Sequence, residues 1–73
     1  MIKAEDIKEF REAMNMISET ADNIFMVEFL SSVKHHNVDE QLLKRLCNLN
    51  TSLHEAVAHV NSIYDYLQGK NNP

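Results

Sequence analysis

Apolar residues recur through the second half of the chain at a helical spacing. Leu42, Leu46, Leu49, Leu53, Ala56, Val60, Ile63 and Leu67 are separated by 4, 3, 4, 3, 4, 3 and 4 residues. A mean period of 3.5, unbroken over that length, belongs to a helix lying along another helix. Leu43, Val57 and Tyr64 widen the stripe beyond a narrow coiled-coil seam. Asn37-Val38-Asp39-Glu40 supplies an Asn N-cap with an acid at the third helical position. Gly69, followed by Lys70 and Pro73, supplies a stop. The pattern predicts a helix over about 38–68.

The first half repeats the theme. Ile7, Phe10, Met14, Ile17, Ala21 and Ile24 are spaced 3, 4, 3, 4 and 3. Glu5 and Asp6 stand at the start, and Lys34, His35 and His36 at the end, as the helix dipole favours. These features predict a helix over about 3–35. The competing reading breaks this segment at Ser18-Glu19-Thr20, whose hydroxyls could cap a new helix and give three in all.

The two series test each other. If the chain reverses between His36 and Asn37, facing residues of an antiparallel pair have numbers summing to about 73. Ile24 with Leu49, Ile17 with Ala56 and Phe10 with Ile63 each sum to 73, while Ala21 with Leu53, Met14 with Val60 and Ile7 with Leu67 each sum to 74. Both alanines face larger residues, as interdigitating layers require. A chain broken at 18–20 has no reason to satisfy this arithmetic, so the pattern favours one all-α domain over 1–73, an antiparallel helical hairpin.

A hairpin cannot absorb every apolar residue. Phe25, Met26, Val27, Phe29 and Leu30, with Val33 beyond, are expected to point almost all the way round the first helix near the turn, and a helix apolar on every side is surrounded by protein. Phe25, Met26, Phe29, Leu30 and Val33 are the candidate protein-interaction residues. The simplest cover is a second copy, giving a homodimeric four-helix bundle; a docking face for a heterologous protein would be enriched in Phe and Met in the same way. Glu28, on this same stretch, lies by the register opposite Lys44 and Arg45 and is expected to pair with one of them.

Composition narrows the picture further. One Gly and one Pro, both after residue 68, leave no punctuation for strands and tight turns. Leu, Ile, Val and Phe make up 20 of 73 residues, enough to drive folding. The net charge of −4 resides entirely in residues 1–28, with seven acids against three bases, and residues 29–73 are neutral. Such a chain has no basic reservoir for phosphates, which argues against nucleic acid and against an anionic membrane surface. Its longest near-apolar run, Ile24 to Leu30, is far short of the ~20 residues of a membrane span. The acidic start does not read as an export signal, and the single Cys47 cannot form an internal disulfide; together they predict a reducing, cytoplasmic setting.

Candidate chemistry is sparse. His54 and His59 resemble a zinc-binding pair, but at i and i+5 they lie about 140° apart on a helix, whereas zinc needs i and i+4. Cys47 has no base arranged beside it and reads as a half-buried small hydrophobe. Glu5, Glu9 and Glu12 form a solvated acidic row. No glycine precedes position 69, so no phosphate-cradling loop exists. The sequence therefore predicts no catalytic, metal or cofactor site, and a non-enzymatic interaction or regulatory protein. Its small size and eight asparagines suit a bacterial or phage accessory protein. The alternatives are a structural subunit of a larger helical assembly and, further off, a metal-dependent enzyme built in a bundle core.

Overall fold

With no proline and no glycine before position 69, the backbone has nothing to interrupt a helix except its own turn. The computed structural model describes residues 1–71: α1 over Ala4–His35 and α2 over Glu40–Asn71, packed side by side as a hairpin 58 Å long and 16 Å wide. Pro73 lies outside the described residues. No break occurs at Ser18–Thr20. The Thr20 hydroxyl donates to the Met16 carbonyl of its own helix at 2.9 Å, and Ser18 is buried rather than capping a new start.

The ends show why the helices stop where they do. At the start of α1 the Asp6 carboxylate accepts the Lys3 backbone N–H at 2.9 Å. At the start of α2 the cap is Asp39, whose carboxylate accepts the Leu42 N–H at 2.9 Å, so the capping role expected of Asn37 sits two residues further on. Gly69 does not end α2. It keeps a negative φ, and the last turn is held by Gln68 donating to the Tyr64 hydroxyl at 2.7 Å and by Lys70 lying over the Tyr66 ring at 5.3 Å.

The reversal is made without glycine. His36 adopts the left-handed conformation, φ 53° and ψ 31°, while its N–H donates to the Val33 carbonyl and the Asn37 N–H to that of Ser32, at 3.4 and 3.1 Å. This is the paired hydrogen-bond pattern of a Schellman motif, in which the left-handed residue is usually Gly. A Cβ in that conformation costs roughly 1–2 kcal/mol, partly balanced by the greater unfolded-state freedom of Gly. His36→Gly is therefore expected to raise stability by a few tenths to about 1 kcal/mol. Urea titration followed by circular dichroism measures it, and a loss on substitution would show that the imidazole contributes to the turn.

The inward faces keep the heptad period and the register but not the whole set of residues that the pattern suggests. Along α1 the buried and half-buried positions include Ala4, Ile7, Arg11, Met14, Ser18, Ala21, Phe25, Glu28 and Ser32; along α2 they include Leu43, Leu46, Asn50, Leu53, Val57, Val60, Tyr64 and Leu67. Cross-helix contacts confirm the pairing, since Arg11 with Asn61, Arg11 with Tyr64 and Asp22 with His54 sum to between 72 and 76. Ile7, Met14 and Ala21 with Leu67, Val60 and Leu53 thus remain in the seam. Phe10, Ile17, Ile24, Leu42, Leu49 and Ile63 do not, and each is about half exposed or somewhat less. Their expected places are taken by Arg11, Ser18 and Phe25 and by Leu43, Asn50 and Tyr64. The cause is rotational. Residues on either flank of the central heptad row are each turned about 50° from it, and two helices alone can turn only one flank inward.

The flank that faces inward is the more polar. Among the described residues the buried apolar set is Ala4, Ala21 and Val60, and no large side chain is fully enclosed. Ser32 is 3% exposed with its hydroxyl unpaired. Ser32→Ala is expected to gain about 1 kcal/mol, because it removes an unsatisfied buried polar atom and improves helix propensity. Thermal melting checks it; a lower Tm would mean that the hydroxyl has a partner. Glu28 is half-buried but forms no ion pair with Lys44 or Arg45, contrary to the sequence expectation. Among the described residues, His54 and Asp22 meet across the helices in a hydrogen bond of 3.1 Å, and its exposure makes it worth little.

Candidate protein-interaction surfaces

Rotation of the seam gives the hairpin two unlike broad faces. On one, the outward flanks of both helices form an apolar groove of about 590 Å3, floored by Ala21 and Leu53 and walled by Ile17, Ile24, Leu49 and Met16. It continues toward the turn past Val27 and Leu42, where Glu28 is the one charged residue along it. Away from the turn, the opposite face is polar. There Arg11 Nε donates to Asn61 Oδ1 at 2.7 Å while its guanidinium covers the Tyr64 ring at 4.6 Å, and His54 meets Asp22. Cys47 is exposed, not half-buried as its place beside the seam suggested.

The residues singled out near the turn divide between two environments. Phe25 is half-buried in the seam, with its ring stacked on that of Phe29, centroids 6.2 Å apart and planes inclined by 14°. Met26, Phe29, Leu30 and Val33 are exposed, at spacings i, i+3, i+4 and i+7. That spacing makes them one stripe on the outer side of α1, distinct from the groove, rather than a belt around the helix.

The groove residues Ile17, Ile24 and Leu49 were legible as apolar heptad members, but as core rather than surface. Only the direction in which each helix is turned distinguishes the two, and a periodic pattern does not carry it. For chemistry, the described residues contain no group of three or more His, Cys, Asp or Glu side chains able to hold a metal ion. His54 joins the polar face, and His59, five residues on, does not share its direction. No described helix is long and apolar enough to cross a membrane. Compared with protein-family models, curated proteins and solved structures, the chain matches none.

Proposed function

We propose that this hairpin is a non-enzymatic interaction protein that binds another protein through the outer stripe of α1 near the turn. The observation that carries the reading is the exposure of Met26, Phe29, Leu30 and Val33 together, at the spacing with which one helix presents anchors to an apolar groove. Leaving such a set in water forfeits several kcal/mol, at about 25 cal/mol per Å2, which a marginally stable small domain does not normally spare. The stacked Phe25 beneath Phe29 fixes the ring of that central anchor and lowers the entropy lost on docking. An acidic first helix makes a basic or neutral partner surface the better electrostatic match.

The test is affinity capture from the native host with wild-type protein, followed by reconstitution with the purified captured protein. The Phe29→Ala and Leu30→Ala variants should weaken that binding tenfold or more while the helical circular dichroism is unchanged. Undiminished binding by the double variant would overturn the assignment of the stripe. A stoichiometric transition metal in the purified protein would favour the bundle enzyme instead.

A further inference from the structure

We infer that the apolar groove face, as distinct from the α1 stripe, is the self-association surface: it takes a second copy of this chain, stacked face to face with the turns at opposite ends of a four-helix bundle. The monomer motivates the search for cover. Its seam holds Arg11, Ser18, Glu28, Ser32 and Asn50, whereas the more apolar flank of the heptad pattern lies open. A face 58 Å long and 16 Å wide offers on the order of 900 Å2 per copy, against the roughly 800 Å2 per partner of a standard stable interface.

The identity of the occupant follows from the spacing of the open flank. A two-fold axis crossing the face at right angles to the helices sets each helix against its own antiparallel copy. On α1 it pairs Ile17 with Ile24 and Phe10 with Ser31 of the second copy, both sums being 41. On α2 it pairs Leu49 with Ala56 and Leu42 with Ile63, both sums being 105. These are centred at 20.5 and 52.5, which add to 73, the register at which the same flank positions of the two helices lie level. One axis therefore serves both helices.

Layer composition then decides between the two possible two-folds. With the turns at opposite ends, one layer contains Ile17 and Ala56 of one copy and Ile24 and Leu49 of the other. The next contains Phe10 and Ile63 with Ser31 and Leu42. Each layer thus holds three large residues and one small one. With the turns at the same end, Ile17 of each copy meets Ala56 of the other, giving a layer with two alanines beside a layer of two Phe and two Ile, an alternation of void and overpacking. The rim agrees with the first arrangement, which sets Asp6 opposite Lys34, and Ala13 opposite Val27, of the second copy.

The axis passes within one residue of Thr20 and of Ser52, both exposed in the hairpin and so tolerant of substitution. In full-length protein carrying Cys47→Ser, Thr20→Cys alone and Ser52→Cys alone are each expected to form reducible covalent dimers on mild oxidation. Sedimentation of wild-type protein should give a dimer at micromolar concentration. Ile17→Ser with Leu49→Ser should raise its dissociation constant at least a hundredfold, and Phe29→Ser on the stripe should leave it within threefold. A wild-type monomer would overturn the proposal, as would cross-linking only when the Thr20→Cys and Ser52→Cys chains are mixed, which is the signature of the other two-fold. Dissociation by Phe29→Ser with the groove intact would move self-association to the stripe and overturn it equally.

Discussion

Replacing Ala21 by Asp is expected to abolish cooperative folding of the hairpin. Ala21 is 5% exposed at mid-length, opposite Leu53, on the groove floor and in the seam at once. A carboxylate there has no cation within the seam at that level, and the larger side chain would also push the helices apart. An unpaired buried charge together with overpacking places the loss at about 3–5 kcal/mol, comparable to the whole stability of a chain this size. The informative control is Ala56→Asp. Judged by heptad pattern alone, Ala56 is as central as Ala21, yet it is only half-buried, and Asp there should cost distinctly less in the isolated hairpin. Denaturation of both variants at low micromolar concentration and below measures the difference. Equal losses would mean that the open flank is already covered under those conditions.

The second large effect is expected at Arg11. Its guanidinium bridges the helices, donating to Asn61 and covering Tyr64, in a part-buried setting where water does not readily replace it. A charged hydrogen bond contributes about 1.5–3 kcal/mol and a cation over an aromatic face about 0.5–1 kcal/mol more. Arg11→Ala should therefore lose on the order of 2–3 kcal/mol, since it also leaves Asn61 without its donor. Arg11→Lys should recover only part of this, because an ammonium on a flexible stem cannot reach the amide and lie flat on the ring together. A double-mutant cycle with Asn61→Ala isolates the coupling; a value near zero would show that Arg11 acts through packing of its aliphatic stem alone.

Much of this architecture is written in the spacing of apolar residues, and the part that is not has a definable cause. Two helices, their lengths to within about three residues and their antiparallel register follow from series such as Leu46, Leu53 and Val60 against Ala21 and Met14, because a 3.5-residue period and a shared sum leave little freedom. What the spacing leaves open is the roll of each helix about its axis. Ile17 and Ser18 are adjacent in sequence and flank the same row; apolarity points to Ile17 as core, while the structure buries Ser18 at 6% exposure and leaves Ile17 at 49%. Burial of a serine in preference to an isoleucine is costly for a hairpin alone and natural for half of a larger bundle, where both flanks are enclosed. The candidate interaction residues show the same division. Met26, Phe29, Leu30 and Val33 were readable as surplus because they fall outside the heptad row, whereas Phe25, one residue from Met26, belongs to the seam. The turn was located correctly, but its chemistry was not, since nothing in the composition marks His36 as the residue that takes the left-handed conformation.

The constant sum that relates facing residues also governs the order in which the hairpin can assemble. Partners near the turn, such as Ser32 and Leu43, are separated by only 11 residues, whereas Ile7 and Leu67 at the open end are separated by 60. Closing the longer loop first costs about 1.5 kcal/mol more entropy, from the logarithmic dependence on length. Each layer formed shortens the remaining loop for the next, so the zipper starts at His36 and runs toward the termini. Substitutions beside the turn, Ser32→Ala among them, should then alter the refolding rate, and those beside Ile7 or Leu67 should alter mainly the unfolding rate. Stopped-flow chevrons on the two groups read this polarity directly, and a reversed pattern would place the nucleus at the open end. With contacts beside the turn this local, the first step is expected to be fast, and self-association as proposed above would add a slower, concentration-dependent phase when two completed hairpins meet.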